Sequence, residues 1–302
     1  MIARCLLILV RSRAIDCPFL TIGWKNMSKE QTLPAAPLPP DTLNTVLEDF
    51  YQNGVTIVRN VLSREECKRI VARVDEIFAE PYFMQMRNVK GSRQDGKDPI
   101  VVHRLFECDL MFRDLLVREP IISIAETVLG EHCHCIAQGC ILNRKDLGIN
   151  RFHIDDGVEF PITPEMDRHD PRLRMPVLRM SVQIALSDQD EVKYGPSQFV
   201  PGSHYSGRQP DDPEHPTFDG KEPVSLLMKA GDLYLLNGQT WHRGAPNQTD
   251  RVRYLFHQVY GQRFVAQRFW PYLNYRMPDY VLEGADERLL RVLGKHPEMA
   301  YG

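Results

Sequence analysis

Hydrophobic positions recur at helical spacing in the first part of the chain. Before residue 132, apolar residues return every three or four positions along three stretches, a period that predicts amphipathic helices. Ser63 and Glu66 form a capping box at the start of the second stretch, and Pro120 interrupts the third. The predicted helices cover residues 43–50, 67–78 and 112–129, with a short strand at 55–58.

After residue 132 the pattern changes to short apolar runs separated by clusters of Gly, Pro, Asn and Asp. Many short strands with such turns are typical of an antiparallel sandwich or barrel. Because the helices come first in the sequence and the strands follow, we expect the helices to pack against one sheet. A double-sheet jelly roll of two Greek keys fits this order of elements. We therefore predict a mainly β protein with flanking helices and a double-stranded β-helix (jelly-roll, cupin-like) core. Its candidate strands are residues 135–142, 150–155, 177–186, 198–200, 224–228, 232–236 and 251–260.

The N-terminal region differs from the rest of the chain. Residues 33–40 hold four prolines in eight positions, which is typical of a linker or extended arm. We expect residues 1–40 to be disordered or extended and residues 41–302 to form one domain. The apolar run at 5–10 is too short and too poorly flanked for a secretory signal. We favour a translation start at Met27 over an organelle-targeting segment.

Composition narrows the class of protein. The hydrophobic fraction of 43% and the charged fraction of 25% are ordinary for a globular protein. The net charge of -3 gives no basic footprint for nucleic acid, and no apolar run approaches the roughly 20 residues of a bilayer span. The odd number of cysteines, seven, favours reduced thiols. We expect an intracellular, cytoplasmic protein and leave its oligomeric state open.

A His-x-Asp tripeptide lies on one of the predicted strands. Successive strand residues point to opposite faces, so His153 and Asp155 project together while Ile154 turns into the apolar layer behind. Such a tripeptide is common by chance and gains weight only with a third ligand, for which His242 is the candidate. Two histidines and one carboxylate form the facial triad that suits non-haem Fe(II) with open coordination positions.

An arginine follows the third candidate ligand at hairpin spacing. A hairpin centred between Asn247 and Gln248 would place His242 opposite Arg253, with Cβ atoms about 4.5–5.5 Å apart. A guanidinium beside an iron ligand is suited to hold a dicarboxylate through a bidentate pair. Arg251 has the same strand parity and competes for this role, and a surface salt bridge is the alternative interpretation of Arg253.

The loop after the tripeptide is long enough to cover the site. Residues 157–176 and 207–223 are polar loops, and loops above about 12–15 residues are often lids or binding loops. The first begins two residues after Asp155, so we expect it to hang over a metal bound there.

Other polar residues near the tripeptide are weaker candidates for metal or substrate binding. Arg151 shares the parity of the tripeptide and would meet substrate, order Asp155 or pack at the rim. Asp156 has the opposite parity, so we do not expect it to be a ligand, and we expect His204 to shape its loop. Alternation places the two histidines and two cysteines of residues 132–135 on opposite faces, whereas structural zinc needs four convergent ligands.

Three stretches together resemble the phytanoyl-CoA dioxygenase family, and the resemblance spans residues 41–302. They are His153-Ile154-Asp155, residues 195–204 (GPSQFVPGSH), and Trp241-His242-Arg243-Gly244 through Arg253. The resemblance implies an Fe(II)- and 2-oxoglutarate-dependent oxygenase on a double-stranded β-helix. It implies His153, Asp155 and His242 as catalytic iron ligands, and Arg253, eleven residues past the second histidine, as the 2-oxoglutarate anchor.

The resemblance also implies the reaction. Such an enzyme uses O2 and 2-oxoglutarate to oxidise, most often to hydroxylate, a substrate C–H bond with release of succinate and CO2, and ascorbate serves as reductant. Asp155 argues against the halogenating variants, which need a small residue there. The family often has an aromatic residue where this chain has Gln183, and we expect Gln183 to point into the cosubstrate pocket.

The substrate is less defined by the sequence. We expect a small molecule, and basic residues near the predicted site suggest an anionic group on it. One alternative is a non-catalytic or differently metallated jelly-roll protein that binds a small ligand, and another is an oxygenase that acts on a protein side chain. The basic residues are Arg144, Lys145, Arg151, Arg172, Arg174 and Arg179.

Overall fold

Two antiparallel sheets, of six and four strands, enclose the core of the protein. The structure, a computed structural model, describes residues 36–80, 100–269 and 275–296. The segment expected to be disordered or extended therefore lies outside the described residues up to position 35. Residues 36–39 have no regular structure, and the first helix begins at Pro40. No helix in the described ranges combines the length and hydropathy of a membrane span.

The helices of the first part form where the apolar spacing predicts them. The capping box of Ser63 and Glu66 is present at the start of the second helix. The third predicted helix is broken before Pro120, because proline has no backbone N–H to donate. The helices are α1 (Pro40–Asn53), α2 (Arg64–Ala79), α3 (Leu110–Asp114), α4 (Ile121–Leu129), α5 (Asp279–Leu282) and α6 (Glu287–Val292), with 3-10 turns at Leu105–Glu107, Leu115–Val117, Val192–Tyr194 and Ser203–Tyr205.

The strands form the predicted jelly roll. The larger sheet has the order β1-β8-β5-β10-β3-β2 and the smaller sheet the order β4-β9-β6-β7. Each predicted strand is present, and β2 and β9 are additional to the prediction. The strands are β1 (Val55–Val58), β2 (Ile100–His103), β3 (His134–Asn143), β4 (Ile149–His153), β5 (Arg179–Ala185), β6 (Ser197–Phe199), β7 (Val224–Ser225), β8 (Leu233–Asn237), β9 (His242–Gly244) and β10 (Arg253–Gly261).

Helices cover the outer face of the six-stranded sheet, as the order of elements predicts. Phe256 of β10 stacks on Phe112 of α3 with ring centroids 5.8 Å apart. The hydroxyl of Tyr260 donates to the carbonyl of Leu116 at 2.8 Å. The inner face packs against the smaller sheet in one apolar cluster, which is made of Val55, Ala185, Phe199, Leu226, Met228, Tyr234, Leu236 and Leu255.

The end of α1 is tied to the segment that leads into His242. The carbonyl of Gly54 accepts hydrogen bonds from the backbone N–H of Asn237 at 2.8 Å and from the hydroxyl of Thr240 at 3.0 Å. Gly54 has a φ of 80°, and a Cβ on it would lie 2.3 Å from Thr240 Oγ1 and 2.6 Å from His204 Nδ1. A residue with a side chain would therefore be strained and would displace this segment.

We expect Gly54→Ala to lower the free energy of unfolding by about 2–4 kcal/mol, since it adds the left-handed conformational cost to overpacking. Gly220→Ala is the matched control, because Gly220 has a φ of 70° with nothing within 4 Å of a Cβ, so it should lose only about 1–2 kcal/mol. Urea denaturation measures both variants, and equal losses would contradict the close approach at Gly54.

Candidate metal centre

Three candidate ligands converge at the edge of the smaller sheet. His153 at the end of β4 pairs in register with His242 at the start of β9, so the two imidazole centroids lie 4.5 Å apart. Asp155 follows in the turn after β4, with Oδ1 3.5 Å from His153 Nε2 and 3.7 Å from His242 Nε2. Their ligand atoms all lie within 4.8 Å of one another, and no second group of this kind occurs in the described ranges.

Backbone carbonyls set the tautomer of both imidazoles. His153 Nδ1 lies 3.1 Å from the carbonyl oxygen of Arg151, and His242 Nδ1 lies 2.9 Å from that of Thr240. Because a carbonyl can only accept, each Nδ1 carries the hydrogen and each Nε2 keeps a free lone pair. Both free lone pairs belong to the atoms that face Asp155, and this is the arrangement that metal-binding histidines use.

The charges of the three residues complement one another. Burial raises the pKa of Asp155, but His242 and His153 outweigh it and hold that pKa well below its usual range. Burial lowers the pKa of His242, whereas for His153 the hydrogen bond and charge of Asp155 outweigh burial and raise the pKa. An ionised carboxylate with two imidazoles is a donor set that fits Fe(II) and similar divalent ions.

The apolar layer behind the ligands is present as predicted. Ile154 and Trp241 are buried in one cluster with Phe152, Val200 and Phe218. The loop of residues 207–223 extends the edge of β4 here. Its Pro213 carbonyl accepts from the N–H of Phe152 at 2.8 Å, and the N–H of Ile154 donates to a side-chain amide in the same loop. Both residues that flank His153 along the chain are thereby fixed.

Arg179 of β5 holds the turn that carries Asp155. Its buried guanidinium donates to Glu159 Oε1 at 2.6 Å, to the carboxylate of Asp156 and to the backbone carbonyl of Asp155. Asp156 has a φ of 56° and also pairs with Arg268. Asp156 thus stabilises the turn and, as expected, does not join the ligand group, although β4 ends at His153 and the strand parity used in the prediction does not extend to Asp156.

The predicted hairpin between His242 and Arg253 is wrong. β9 lies in the four-stranded sheet and β10 in the six-stranded sheet, so residues 245–252 cross from one sheet to the other and the two residues are not directly paired. Arg253 nevertheless reaches back between the sheets. Its guanidinium donates to the carbonyl of Gly195, and a Cβ on Gly244 would lie 3.5 Å from its Nη2.

Arg253 carries a buried charge without an acidic partner. The residue is 3% exposed, and no carboxylate in the described part of the chain forms an ion pair with it. Burial lowers the pKa of Arg253 to about 10, against smaller opposing effects of Tyr234 and Cys140. The guanidinium is therefore still charged at neutral pH, and an unpaired buried charge is costly.

Gln183 faces the same interior as Arg253. It lies on β5 between Tyr234 of β8 and His257 of β10 in the sheet register, and its Oε1 is buried without a hydrogen-bond partner in the described structure. His257 was missed by the sequence analysis. The available signal was its position four residues after Arg253 on one strand, which gives both side chains the same inward face.

The remaining candidates lie away from the ligand group. Arg251 is exposed and lies over the ring of Tyr194 at 3.7 Å, so it does not take the role of Arg253. His204 is buried with Nε2 3.1 Å from the Tyr51 carbonyl, which confirms that it shapes its loop. His134 pairs with His296 at 2.8 Å, and within the described ranges residues 132–135 supply no group of three convergent ligands.

The first long loop is tied to neighbouring segments. The N–H of His169 donates to the Tyr205 carbonyl at 2.8 Å, and that of Ile162 to the Gly207 carbonyl at 3.3 Å. Gln239, three residues before His242, bonds the N–H of Glu159 at 2.8 Å and the carbonyl of Gly157 at 3.2 Å. The start of the loop is thus fixed to the segment that leads into the third ligand.

Comparison with known proteins identifies relatives of this chain. The family model of phytanoyl-CoA dioxygenase matches residues 50–254. The chain is 26% identical to dioxygenase hkm4 of Aspergillus hancockii over 227 residues, 68% of this chain and 67% of that protein. It is 27% identical to dioxygenase cdmA of Talaromyces verruculosus over 220 residues, 69% of each protein.

A solved structure shares the fold. The epimerase SnoN in complex with Fe3+, alpha ketoglutarate and nogalamycin RO superposes with a TM-score of 0.60 at 22% identity, over 82% of this chain and 93% of that chain. This likeness confirms the jelly-roll architecture.

We expect Arg179→Met to weaken binding of Co(II), a spectroscopic stand-in for iron, by about 10–100-fold, as is typical when a group that orients a metal ligand is removed. Arg172→Met is the control, because Arg172 is exposed and pairs with Asp170 within the loop, away from Asp155. Co(II) absorption titrations measure both, with circular dichroism to verify folding. Unchanged affinity in folded R179M would show that Arg179 does not position Asp155.

Proposed function

The chain belongs to the phytanoyl-CoA dioxygenase family, and we propose that it hydroxylates a C–H bond of a small molecule. Its class is that of the 2-oxoglutarate-dependent dioxygenases. The proposal concerns the reaction outcome, the kind of substrate and the residues responsible. SnoN, which is named an epimerase, is a reminder that this fold supports more than one outcome.

The observation that carries the proposal is the unpaired charge of Arg253. Among the described residues this buried guanidinium has no carboxylate partner, and it lies between the two sheets, the smaller of which carries His153 and His242. The distal carboxylate of 2-oxoglutarate is an anion of the required kind, and the planar fork of arginine matches a carboxylate in a bidentate pair. Binding of the cosubstrate would therefore balance a charge that the fold leaves unbalanced.

The donor set fits the metal that this chemistry needs. We assign Nε2 of His153, Nε2 of His242 and the carboxylate of Asp155 as the Fe(II) ligands. When bound, iron, 2-oxoglutarate and O2 supply the oxidant for the substrate C–H bond and yield succinate and CO2, with ascorbate keeping the iron reduced. Asp155 occupies the position that halogenating enzymes of this kind leave small, which supports hydroxylation over halogenation.

The other residues of the interior have supporting roles in this proposal. Arg179 orients the turn of Asp155, and Gln183 is a second contact for the cosubstrate. The hydroxyl of Tyr234 donates to Ser197 Oγ at 2.9 Å, which joins the two sheets beside Arg253. The apolar cluster around these groups excludes water, so the guanidinium acts in a medium that strengthens its attraction for the carboxylate.

The extent and location of the enzyme are also proposals. We place one catalytic domain over residues 41–302, which the tie between α1 and the segment before His242 supports. The described cysteines are all free thiols, and this supports a cytoplasmic location. The complex of SnoN with nogalamycin RO supports a small-molecule substrate over a protein side chain.

We expect purified protein with Fe(II) and ascorbate to convert 2-oxoglutarate into succinate when a metabolite extract containing the substrate is added. His153→Ala should lose bound iron and this turnover, because it removes one of three ligands. Succinate is measured by mass spectrometry, with the oxidised product identified in the same samples. No turnover with any extract, together with unchanged iron in H153A, would favour a non-catalytic jelly-roll protein that binds a small ligand.

We expect Arg253→Met to keep or raise the free energy of unfolding of the cosubstrate-free protein, by about 0–3 kcal/mol, while 2-oxoglutarate binding is lost. Stability should not fall, because an apolar side chain of similar volume replaces an uncompensated buried charge. Since the pKa of Arg253 in the folded protein is lowered to about 10, the guanidinium is charged below that pH and its burial destabilises the wild-type protein there.

Denaturation at neutral pH, with and without 2-oxoglutarate, measures both effects. Arg253→Lys keeps the charge without the fork and should retain weakened binding. A large loss of stability in R253M, or equal stabilisation of wild type and R253M by 2-oxoglutarate, would contradict the assignment.

A further inference from the structure

A row of polar side chains crosses the inner face of the six-stranded sheet. The register pairs Tyr234 with Gln183, and Gln183 with His257. It then pairs His257 with Gly139, and Gly139 with His103. Because directly paired residues share one face of an antiparallel sheet, the four polar side chains of this row are successive neighbours. They lead from the Arg253 side of the interior to β2 at the edge of the sheet.

We infer from the exposure of its residues that this row borders a cavity between the sheets. Along β5, Gln183 is the residue that retains partial exposure while its strand neighbours are buried. On the same inner face His257 of β10, and Ala137 and Ile141 of β3, are also partly exposed. Inward-facing residues that keep accessible surface deep in a packed sheet border open space. The cavity therefore has a polar stripe beside an apolar wall.

Two polar atoms of the stripe have no partner. Nδ1 of His257 and Oε1 of Gln183 are buried and make no hydrogen bond in the described structure, and such atoms are rare in native proteins. The absence of a side chain on Gly139 makes room for the imidazole, since a Cβ there would lie 3.0 Å from its Cε1 and 3.3 Å from its Nε2. The ring is accommodated, yet its hydrogen-bonding capacity is left unused.

Among the described residues, no unpaired charged side chain other than Arg253 lies on this inward face. Burial lowers the pKa of His257 to about 3, with His103 adding to the effect and Asp155 opposing it, so the ring is neutral. Of the arginines on the inward face, Arg179 is engaged by Glu159 and Asp156, and Arg253 has the role proposed for the cosubstrate. A charged group brought to His257 would therefore be buried without a counter-ion, at a high cost.

We propose that His257 determines substrate specificity by hydrogen-bonding an uncharged oxygen group, a hydroxyl or a carbonyl, on the part of the substrate held beside the metal. This inference rests on the proposed function and deepens it. Gln183 serves the cosubstrate side of the row, and His257 serves the side toward the sheet edge. The apolar wall of Ala137 and Ile141 takes the carbon skeleton.

The basic residues outside the cavity do not argue for an anionic substrate. Arg172 pairs with Asp170 and Lys145 with Asp250, and Arg174 lies over the ring of Tyr51 at 4.1 Å. These partners satisfy charges that the sequence alone attributes to substrate recognition.

The test uses matched probes that share a skeleton. Benzyl alcohol, ethylbenzene and phenylacetate form one set, with equivalent sets on cyclohexyl and naphthyl skeletons. Their affinities are measured by ligand-observed NMR titration against protein loaded with Zn(II) and 2-oxoglutarate, in which no turnover occurs. We expect the alcohols to bind about tenfold tighter than the hydrocarbons, the size of effect that one hydrogen bond supplies, and the carboxylates to bind no better than the hydrocarbons.

Variants of His257 test whether its imidazole causes the preference for the alcohols. His257→Phe should reduce the alcohol advantage to less than about twofold, whereas His257→Gln should retain most of it. His215→Phe is the control, because the side chain of His215 is 83% exposed on the loop of residues 207–223. Thermal unfolding verifies that each variant is folded, and Co(II) and 2-oxoglutarate affinities should match those of wild type.

The possible outcomes separate this inference from the proposed function. An alcohol advantage that survives in folded H257F, tighter binding of the carboxylates, or no binding of any alcohol would overturn the role of His257. Loss of the advantage in H257F supports that role even if no extract yields succinate, in which case the proposed hydroxylation alone fails.

Discussion

The guanidinium of Arg253 lies between the two sheets with no carboxylate to balance its charge among the described residues. Proteins rarely retain such an arrangement, because removing a charge from water costs several kcal/mol and here no internal ion pair offsets that cost. The surrounding structure nevertheless keeps the group charged and fixed, by a hydrogen bond to the Gly195 carbonyl and by the absence of a side chain on Gly244. The fold thus tolerates a local instability that an anionic ligand would relieve.

The metal ligands depend on a second constraint, the register of the smaller sheet. Pairing of β4 with β9 brings His153 beside His242, and a shift by one residue would turn one imidazole to the opposite face. The backbone of the residues that flank His153 donates to the loop of residues 207–223, and the carbonyl of Gly54 holds the segment before His242. Segments far apart in sequence therefore set the spacing of three ligand atoms.

Much of this arrangement follows from local patterns in the sequence. Alternation alone predicts that His153 and Asp155 face one way and that Ile154 is buried, and the changing hydrophobic period locates the helices and most strands. The hairpin between His242 and Arg253 was wrong because turn residues show where a chain reverses but not which sheet each arm joins. β2 and β9 were not predicted, and their strand character comes from pairing with segments distant in the sequence. Arg179 and His257 acquire their roles only from strands brought together by the fold.

The interior divides into an end that holds one buried cation and an end that holds neutral hydrogen-bonding groups. In the proposed function a dicarboxylate binds at the first end, because Arg253 is a buried charge there without an acidic partner among the described residues. It would be disfavoured at the second end, where the neutral His257 cannot compensate a carboxylate. A substrate with its own carboxylate would compete for Arg253, whereas a neutral substrate would not. If both proposals hold, separation of charge within one interior would assign each reactant its place, since a carboxylate is costly beside His257 and a neutral group leaves Arg253 unpaired.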